Sequence, residues 1–280
     1  MPMEVMTEAG GGRSVLSRPQ YTAIARIIYE RCGICFPEGK ETLVQARLAK
    51  RLRALGLADF GQYLRYMNQD GSGDELATMI DALTTNKTSF FRESHHFDFV
   101  RSHILPAFRN SLSKIRFWCA GCSTGEEPFS LAILLSEELP KERLSDCRIL
   151  ATDISRPVLA KAREAVYRED ALQSADPRLK KHMVCIQTKP ARLFQIGDNE
   201  RDLVRFAYLN LKEQWPMRGP FDAIFCRNVM IYFDSETRKK LVHRFCDLIK
   251  PGGYLFVGHS ESLGANSSEF RYVEPAIYRK

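Results

Sequence analysis

Polar residues gather where apolar runs end in this sequence. KIRFWCA (114–120) gives way to a turn, GCSTGEE, that carries Gly121, Gly125, Glu126 and Glu127. CRILATDIS delivers Asp153, VRFAYLNL delivers Asn210 and Leu211, and FDAIFCRN delivers Arg227 and Asn228, with Tyr232 just beyond. Ligands of doubly wound sheets bind outside the carboxyl ends of the strands, so these residues mark a crevice. A dinucleotide site would show GxGxxG and keep a helix N-terminus free for the pyrophosphate. Here the glycines are spaced GxxxG, and two carboxylates stand where the phosphates would lie. Anion would repel anion. A cationic cofactor suits the turn better: S-adenosylmethionine has a sulfonium, an ammonium and no phosphate, and Asp153 is placed to accept from its ribose hydroxyls. The plainer account has Glu126 and Glu127 complementing a helix dipole and Asp153 starting a turn. It serves each residue singly and the set less well.

The cysteines suggest less. Cys32/Cys35 and Cys119/Cys122 have CxxC spacing, but zinc held by both pairs would need thiolates from distant parts of the chain. Cys119 ends an apolar run, where a thiol acts as a small hydrophobe. No metal site is expected. Met1 to Gly12 carries Glu4 and Glu8 and no apolar core, so residues 1–15 read as a flexible tail rather than a secretory signal, and reduced thiols in the cytoplasm are the default.

What must hold the strand-end residues is a parallel sheet. Strand-like runs alternate with helical ones such as PFSLAILLSEEL, the segment from Pro157 to about Tyr167, and SETRKKLVHRFCDLIK closed by Pro-Gly-Gly. That rhythm predicts an α/β fold with helices on both faces of the sheet. HMVCIQTKPARLFQIGDNERD breaks it and reads as a small β insertion. From Leu16 to Leu83 the pattern is short amphipathic helices between turns such as FPEGK and QDGSGD, with nothing alternating like a strand. With 280 residues, 44% apolar and 27% charged, the chain has ordinary globular composition, and no apolar run approaches a membrane span.

Charge is concentrated early. Residues 13–70 hold ten Lys/Arg and five Asp/Glu, so +5 of the +7 total. Within TLVQARLAKRLRALGL, Val44, Leu48, Leu52 and Leu55 form an apolar stripe, and Arg47, Lys50, Arg51 and Arg53 fall mostly opposite. A solvated helix face is the plain account. A docking strip for an acidic protein surface is the sharper one, favoured over nucleic acid because no aromatic residues are interleaved.

LTTNKTSFFRESHHF (83–97), STGEEPFSLAILL, ATDIS, LNL, FDAIFCRNVMIYFD and KPGGYLFVGHSESL together resemble the bacterial chemotaxis receptor methyltransferases, and the likeness runs from about Tyr21 to the C-terminus. The resemblance implies a protein-glutamate O-methyltransferase that uses S-adenosylmethionine, releases S-adenosylhomocysteine and acts on the cytoplasmic helical region of methyl-accepting receptors. It implies an all-α domain (16–85), a linker contributing to the cofactor site (86–112), and a Rossmann-like class I methyltransferase domain (113–280) with an antiparallel β insertion at about 180–204. Carried over by position, Asn86, Thr88, Arg92, Glu126, Asp153, Asn210, Leu211, Arg227 and Asn228 would contact cofactor. Arg92 and Tyr232 would form the active centre, and the strip from Arg47 to Arg53 would face the substrate. Members tethered to a receptor's C-terminal peptide carry an Arg-Gly-x-Gly loop in the insertion. HMVCIQTKPARLF lacks it, so this chain is expected to dock on its substrate directly, as a monomer.

The expected chemistry needs no general base, because a glutamate with pKa about 4.3 is already an anion at neutral pH. The protein's task is to strip water and hold the oxygen in line with the methyl carbon. His95, His96 and His259 are then supporting or surface residues. Two rivals remain at this stage. A nucleic-acid methyltransferase would want a proline-containing run where this chain reads RNVMIY, and a cofactor-binding signalling module with little turnover would not require Arg92 and Tyr232.

Overall fold

Apolar residues at helical spacing organise the first part of the chain. The computed structural model describes residues 15–109, 111, 113–172, 177–264 and 269–280. The expected tail therefore lies, except for Val15, outside the described residues. Four helices follow, α1 (Arg18–Cys32), α2 (Glu41–Leu55), α3 (Phe60–Gln69) and α4 (Asp74–Leu83). The α2 stripe buries Val44, Leu48 and Leu52. Its end is set by Gly56, whose left-handed φ of 66° lets its N–H turn back on the last carbonyls. Asp59 caps α3 by accepting from the Gln62 N–H at 2.8 Å. Ile24, Ile28, Phe60, Tyr63 and Met79 are nearly or fully buried, each contributing about 1.5–3 kcal/mol on burial.

The chain forms two compact units, residues 36–84 with the residues up to Glu30, and Arg31–Cys35 with Thr85–Lys280. The second unit continues with α5 (His95–Phe99), a π-helical turn (Val100–Ile104) and α6 (Pro106–Arg109). Next come β1 (Ile115–Ala120), α7 (Glu126–Glu138), α8 (Lys141–Leu144), β2 (Cys147–Asp153), α9 (Arg156–Glu164), β3 (Val166–Arg168), β4 (Met183–Gln187) and β5 (Leu193–Ile196). The chain closes with α10 (Asp198–Leu203), β6 (Val204–Tyr208), β7 (Phe221–Cys226), α11 (Ser235–Leu248), β8 (Ile249–Val257), β9 (Arg271–Glu274) and β10 (Ile277–Arg279).

The main sheet has the order β6-β2-β1-β7-β8-β10-β9. Its first five strands are parallel, and β10 runs antiparallel to both neighbours. Every residue of β7 is buried, as a strand covered on both faces requires. Successive strands step outward from β1 to β2 and β6, then restart on its other side at β7. The topological switch point thus lies between the carboxyl ends of β1 and β7, where such sheets bind ligands.

The structure differs from the sequence reading at four places. The helix expected to run to Tyr167 stops early, because Ala165 takes a left-handed φ of 53° and Val166–Arg168 pairs with β5. The small sheet is consequently three-stranded, β3-β5-β4, and draws on residues before the expected insertion. The Pro-Gly-Gly after α11 falls inside β8, and β9 adds an edge strand from residues too polar to announce one. No helix among the described residues is long and apolar enough to cross a membrane.

Candidate functional site

The turn after β1 is shaped by its glycines. Gly121 has φ 94°, and a Cβ there would meet a Val229 methyl carbon at 2.3 Å, so only glycine fits. The Gly121 and Cys122 N–H groups both donate to the Thr152 carbonyl, at 2.8 and 2.9 Å, which locks the turn against the end of β2. Ser123 N–H then donates to Asp153 Oδ2 at 2.8 Å, and Ser155 N–H donates to Oδ1 at 2.9 Å. Asp153, 8% exposed, is therefore oriented through both carboxylate oxygens before any ligand arrives. Such an acceptor-only group is a counterpart for a ligand's hydroxyls.

Across the switch point, Arg227 leaves β7 with its side chain almost wholly buried. Its guanidinium donates to Glu127 Oε2 at 2.9 Å, to Glu93 Oε2 at 3.1 Å and to the Arg92 carbonyl. Glu127 lies in the first turn of α7, and Glu93 follows Arg92 in the linker, so one arginine ties helix, strand and linker together. The linker is fastened again by Ser123, whose hydroxyl donates to the Asn86 carbonyl at 2.8 Å, and by Phe91, whose N–H donates to Ser130 Oγ at 2.9 Å. Arg92 itself is half-buried and donates from Nη1 to the Lys87 carbonyl at 3.0 Å.

These residues line a cleft with Asn86, Thr88, Arg92, Asp153, Arg227 and Asn228 among its walls. Sequence reasoning had named all six. Lys87, Ser123 and Glu127 line it too, whereas Glu126, Asn210, Leu211 and Tyr232 do not. Glu126 accepts from the Thr124 hydroxyl at 2.6 Å, and burial pushes its carboxyl up. The Asn210 amide donates to the Arg31 carbonyl at 2.8 Å and to Glu213 at 3.1 Å, while its oxygen accepts from Lys212 N–H at 3.0 Å. The Leu211 carbonyl accepts from Trp215 and Arg244. Tyr232 is half-buried in the turn Met230–Tyr232, and its carbonyl accepts from Cys35 N–H at 2.8 Å. The two carboxylates read from the sequence as facing a cofactor thus differ: Glu127 reaches the cleft beside Arg227, and Glu126 is turned to Thr124.

Besides Lys87 and Ser123, the sequence reading missed Glu93. Its place beside Arg92 in FFRE was the available signal. A left-handed φ of 57° turns its carboxylate, 11% exposed, back under Arg227. His96 near it is fully buried with neither ring nitrogen hydrogen-bonded among the described residues, and the His95 and His259 rings lie 4.4 Å apart, tilted by 33°. All eight cysteines are free thiols, Cys119 and Cys122 buried.

In the helical unit the basic strip divides. Arg51 grips the buried Glu75 carboxylate from two nitrogens at 2.6–2.9 Å, and Tyr63 O–H donates to the same carboxylate at 2.8 Å. Arg47 donates to the Leu83 and Thr84 carbonyls at 2.6 and 3.1 Å, closing the end of α4. Only Lys50 and Arg53 remain exposed. Opposite faces on a helical wheel do not separate a solvated arginine from one reaching across to a neighbouring helix.

The sequence matches the family model of the CheR methyltransferase all-alpha domain over residues 19–84 and that of the CheR methyltransferase SAM binding domain over 86–278. The chain belongs to the CheR methyltransferase family. It is 41% identical over 268 residues to a chemotaxis protein methyltransferase of Klebsiella aerogenes, covering 95% of this chain and 91% of that one. A counterpart in Escherichia coli is 40% identical over 95% of this chain and 92% of its own. A probable chemotaxis protein methyltransferase of Rhizobium etli is 38% identical over 91% of this chain and its own full length. The protein is a methyltransferase enzyme and its cofactor is S-adenosylmethionine. The chemistry of the cleft fits that group: an oriented carboxylate for hydroxyls at Asp153, and a second carboxylate, Glu127, for a cation.

Proposed function

We propose that this enzyme methylates glutamate side chains in the cytoplasmic helical region of chemotaxis receptors, forming glutamate methyl esters. The observation that carries the reading is the match, along nearly the whole chain, to chemotaxis protein methyltransferases, with a cleft at the switch point in which the Asp153 and Glu127 carboxylates stand among Lys87, Arg92 and Arg227. When bound, S-adenosylmethionine supplies an electrophilic methyl group on a sulfonium.

The chain's own residues do the rest. Asp153 accepts hydrogen bonds from the cofactor's hydroxyls, and Glu127 offsets its positive charge. Asn86, Thr88 and Asn228 supply polar walls, and the linker closes over them through Ser123 and Arg227. Arg92, on the linker at the cleft wall, orients the incoming carboxylate through its planar donor fork without taking a proton from it. The acceptor is already ionised, so positioning and exclusion of water account for the catalysis. The resemblance gives Tyr232, Glu126, Asn210 and Leu211 parts as well, Tyr232 in the active centre. Arg92 lines the cleft and Tyr232 does not, which makes Arg92 the better supported of the two active-centre residues.

The helical unit is assigned to docking, with Lys50 and Arg53 the cations available to an acidic receptor surface. The connection between β4 and β5 reads TKPAR, without the glycines of a tethering loop, which supports direct docking rather than capture of a receptor tail. Eight free thiols, five of them buried, suit a cytoplasmic setting. Incubation with methyl-labelled cofactor and receptor-bearing membranes should label the receptors, and mild base should release the label, as an ester requires. Label stable to base, or none above a membrane-free control, would refute the reading.

A further inference from the structure

We propose that Glu93 is a positioning residue: by sharing Arg227, it leaves the Glu127 carboxylate with charge to offer the cofactor. The inference rests on the cofactor reading above and adds a residue outside the cleft to it.

The geometry is a buried chain of charges, Glu93–Arg227–Glu127, with side chains 11%, 2% and 13% exposed. Two carboxylates flank one guanidinium, so with both ionised the chain carries a net charge of −1; burial pushes the Glu127 carboxyl up, and Arg227 pulls it back down. Behind these charges, among the described residues, lie three histidines, His96, His95 and His259. His96 packs there fully buried, where burial, then Arg227, hold it neutral. Further back, burial and then His259 lower the pKa of His95. Glu93 is held by more than the ion pair, since His259 N–H and the Asn228 amide lie 3.4 Å from its Oε1. Arg227 and Glu127 line the cleft and Glu93 does not. Lys87 and Arg92 also line it, but Lys87 is exposed and Arg92 half-buried, so solvent screens them more than the buried chain.

Without the Glu93 charge, Arg227 would be neutralised by Glu127 alone, and that end of the cleft would present no net charge. The two forms of the cofactor differ in just this respect. S-adenosylmethionine carries a net +1 through its sulfonium and the demethylated product carries none. A field from the buried chain therefore favours donor over product, whereas a merely structural role for Glu93 would affect both alike.

Calorimetry on the full chain with each compound tests this. Wild-type protein that fails to bind S-adenosylmethionine would refute the cofactor reading itself. Given wild-type binding, Glu93→Gln should weaken donor binding roughly tenfold more than product binding, the scale of one charge in a poorly screened site. Glu93→Asp should keep the wild-type ratio. Equal weakening of both ligands by Glu93→Gln, or no weakening, overturns the proposal. Should Glu93→Gln not fold, Glu127→Gln removes the other carboxylate and must lower the donor-to-product ratio likewise; an unchanged ratio overturns it too.

Discussion

Replacing Arg51 with alanine separates a structural cation from a docking one. Arg51 approaches Glu75 with Nε at 2.9 Å from both carboxylate oxygens and Nη2 at 2.6 Å from Oε2, while the Glu75 side chain is 2% exposed. Removing the guanidinium leaves a buried carboxylate with the Tyr63 hydroxyl as its remaining side-chain donor. Breaking a fully buried pair costs about 3–5 kcal/mol. The Arg51 side chain is 28% exposed, so water reaches the vacated position and the expected loss falls to about 2–3 kcal/mol. With a urea m-value near 2 kcal/mol/M, the helical unit's midpoint drops by about 1 M. Lys50→Ala and Arg53→Ala, exposed on the same helix, should stay within about 0.5 kcal/mol of wild type and reduce receptor methylation instead. Far-UV circular dichroism in urea, run beside a methylation assay, reads both effects. Pairing Arg51→Met with Glu75→Gln should restore much of the stability, because it removes both buried charges. An Arg51→Ala protein with an unchanged midpoint and lost methylation would refute the assignment and return Arg51 to the docking surface.

Four other substitutions probe the second unit. Arg92→Ala should abolish methyl transfer while leaving the melting temperature nearly unchanged, and Tyr232→Phe should lower turnover without abolishing it; single-turnover assays distinguish the two. Gly121→Ala places a methyl 2.3 Å from a Val229 carbon at a φ of 94°, so it should cost stability by about 2 kcal/mol or more and weaken cofactor binding by calorimetry. His96 is held neutral by burial, then by Arg227, His95 and His259, its pKa pushed down to about 2 from 6.5. The unfolded chain therefore takes up a proton below pH 6.5 that the folded chain refuses. This contribution to stability is complete above pH 6.5 and is lost toward the folded pKa near 2, by roughly 1.4 kcal/mol per pH unit at most. His96→Leu should flatten the stability curve between pH 6.5 and 5; an unchanged slope there would show that His96 is not the group responsible.

The apolar runs of the parallel strands, the turn glycines and the amphipathic stripe of α2 were all legible in the sequence. Each depends on spacing within a few residues, which local sterics and burial translate directly into helix, strand or turn. Asp153 and Arg227 could be placed at strand ends for the same reason. Only the tertiary structure decided how the charges were used. Arg47 and Arg51 look like their neighbours Lys50 and Arg53 until α4 brings its carbonyl end and Glu75 against them. Glu126 and Glu127 are adjacent in sequence, yet one turns to Thr124 and the other to an arginine that follows β7. Glu93 acquires its partner 134 residues along the chain. Periodicity is a local property; whether a charge is partnered is not, because its partner can come from any segment the fold brings within about 3 Å.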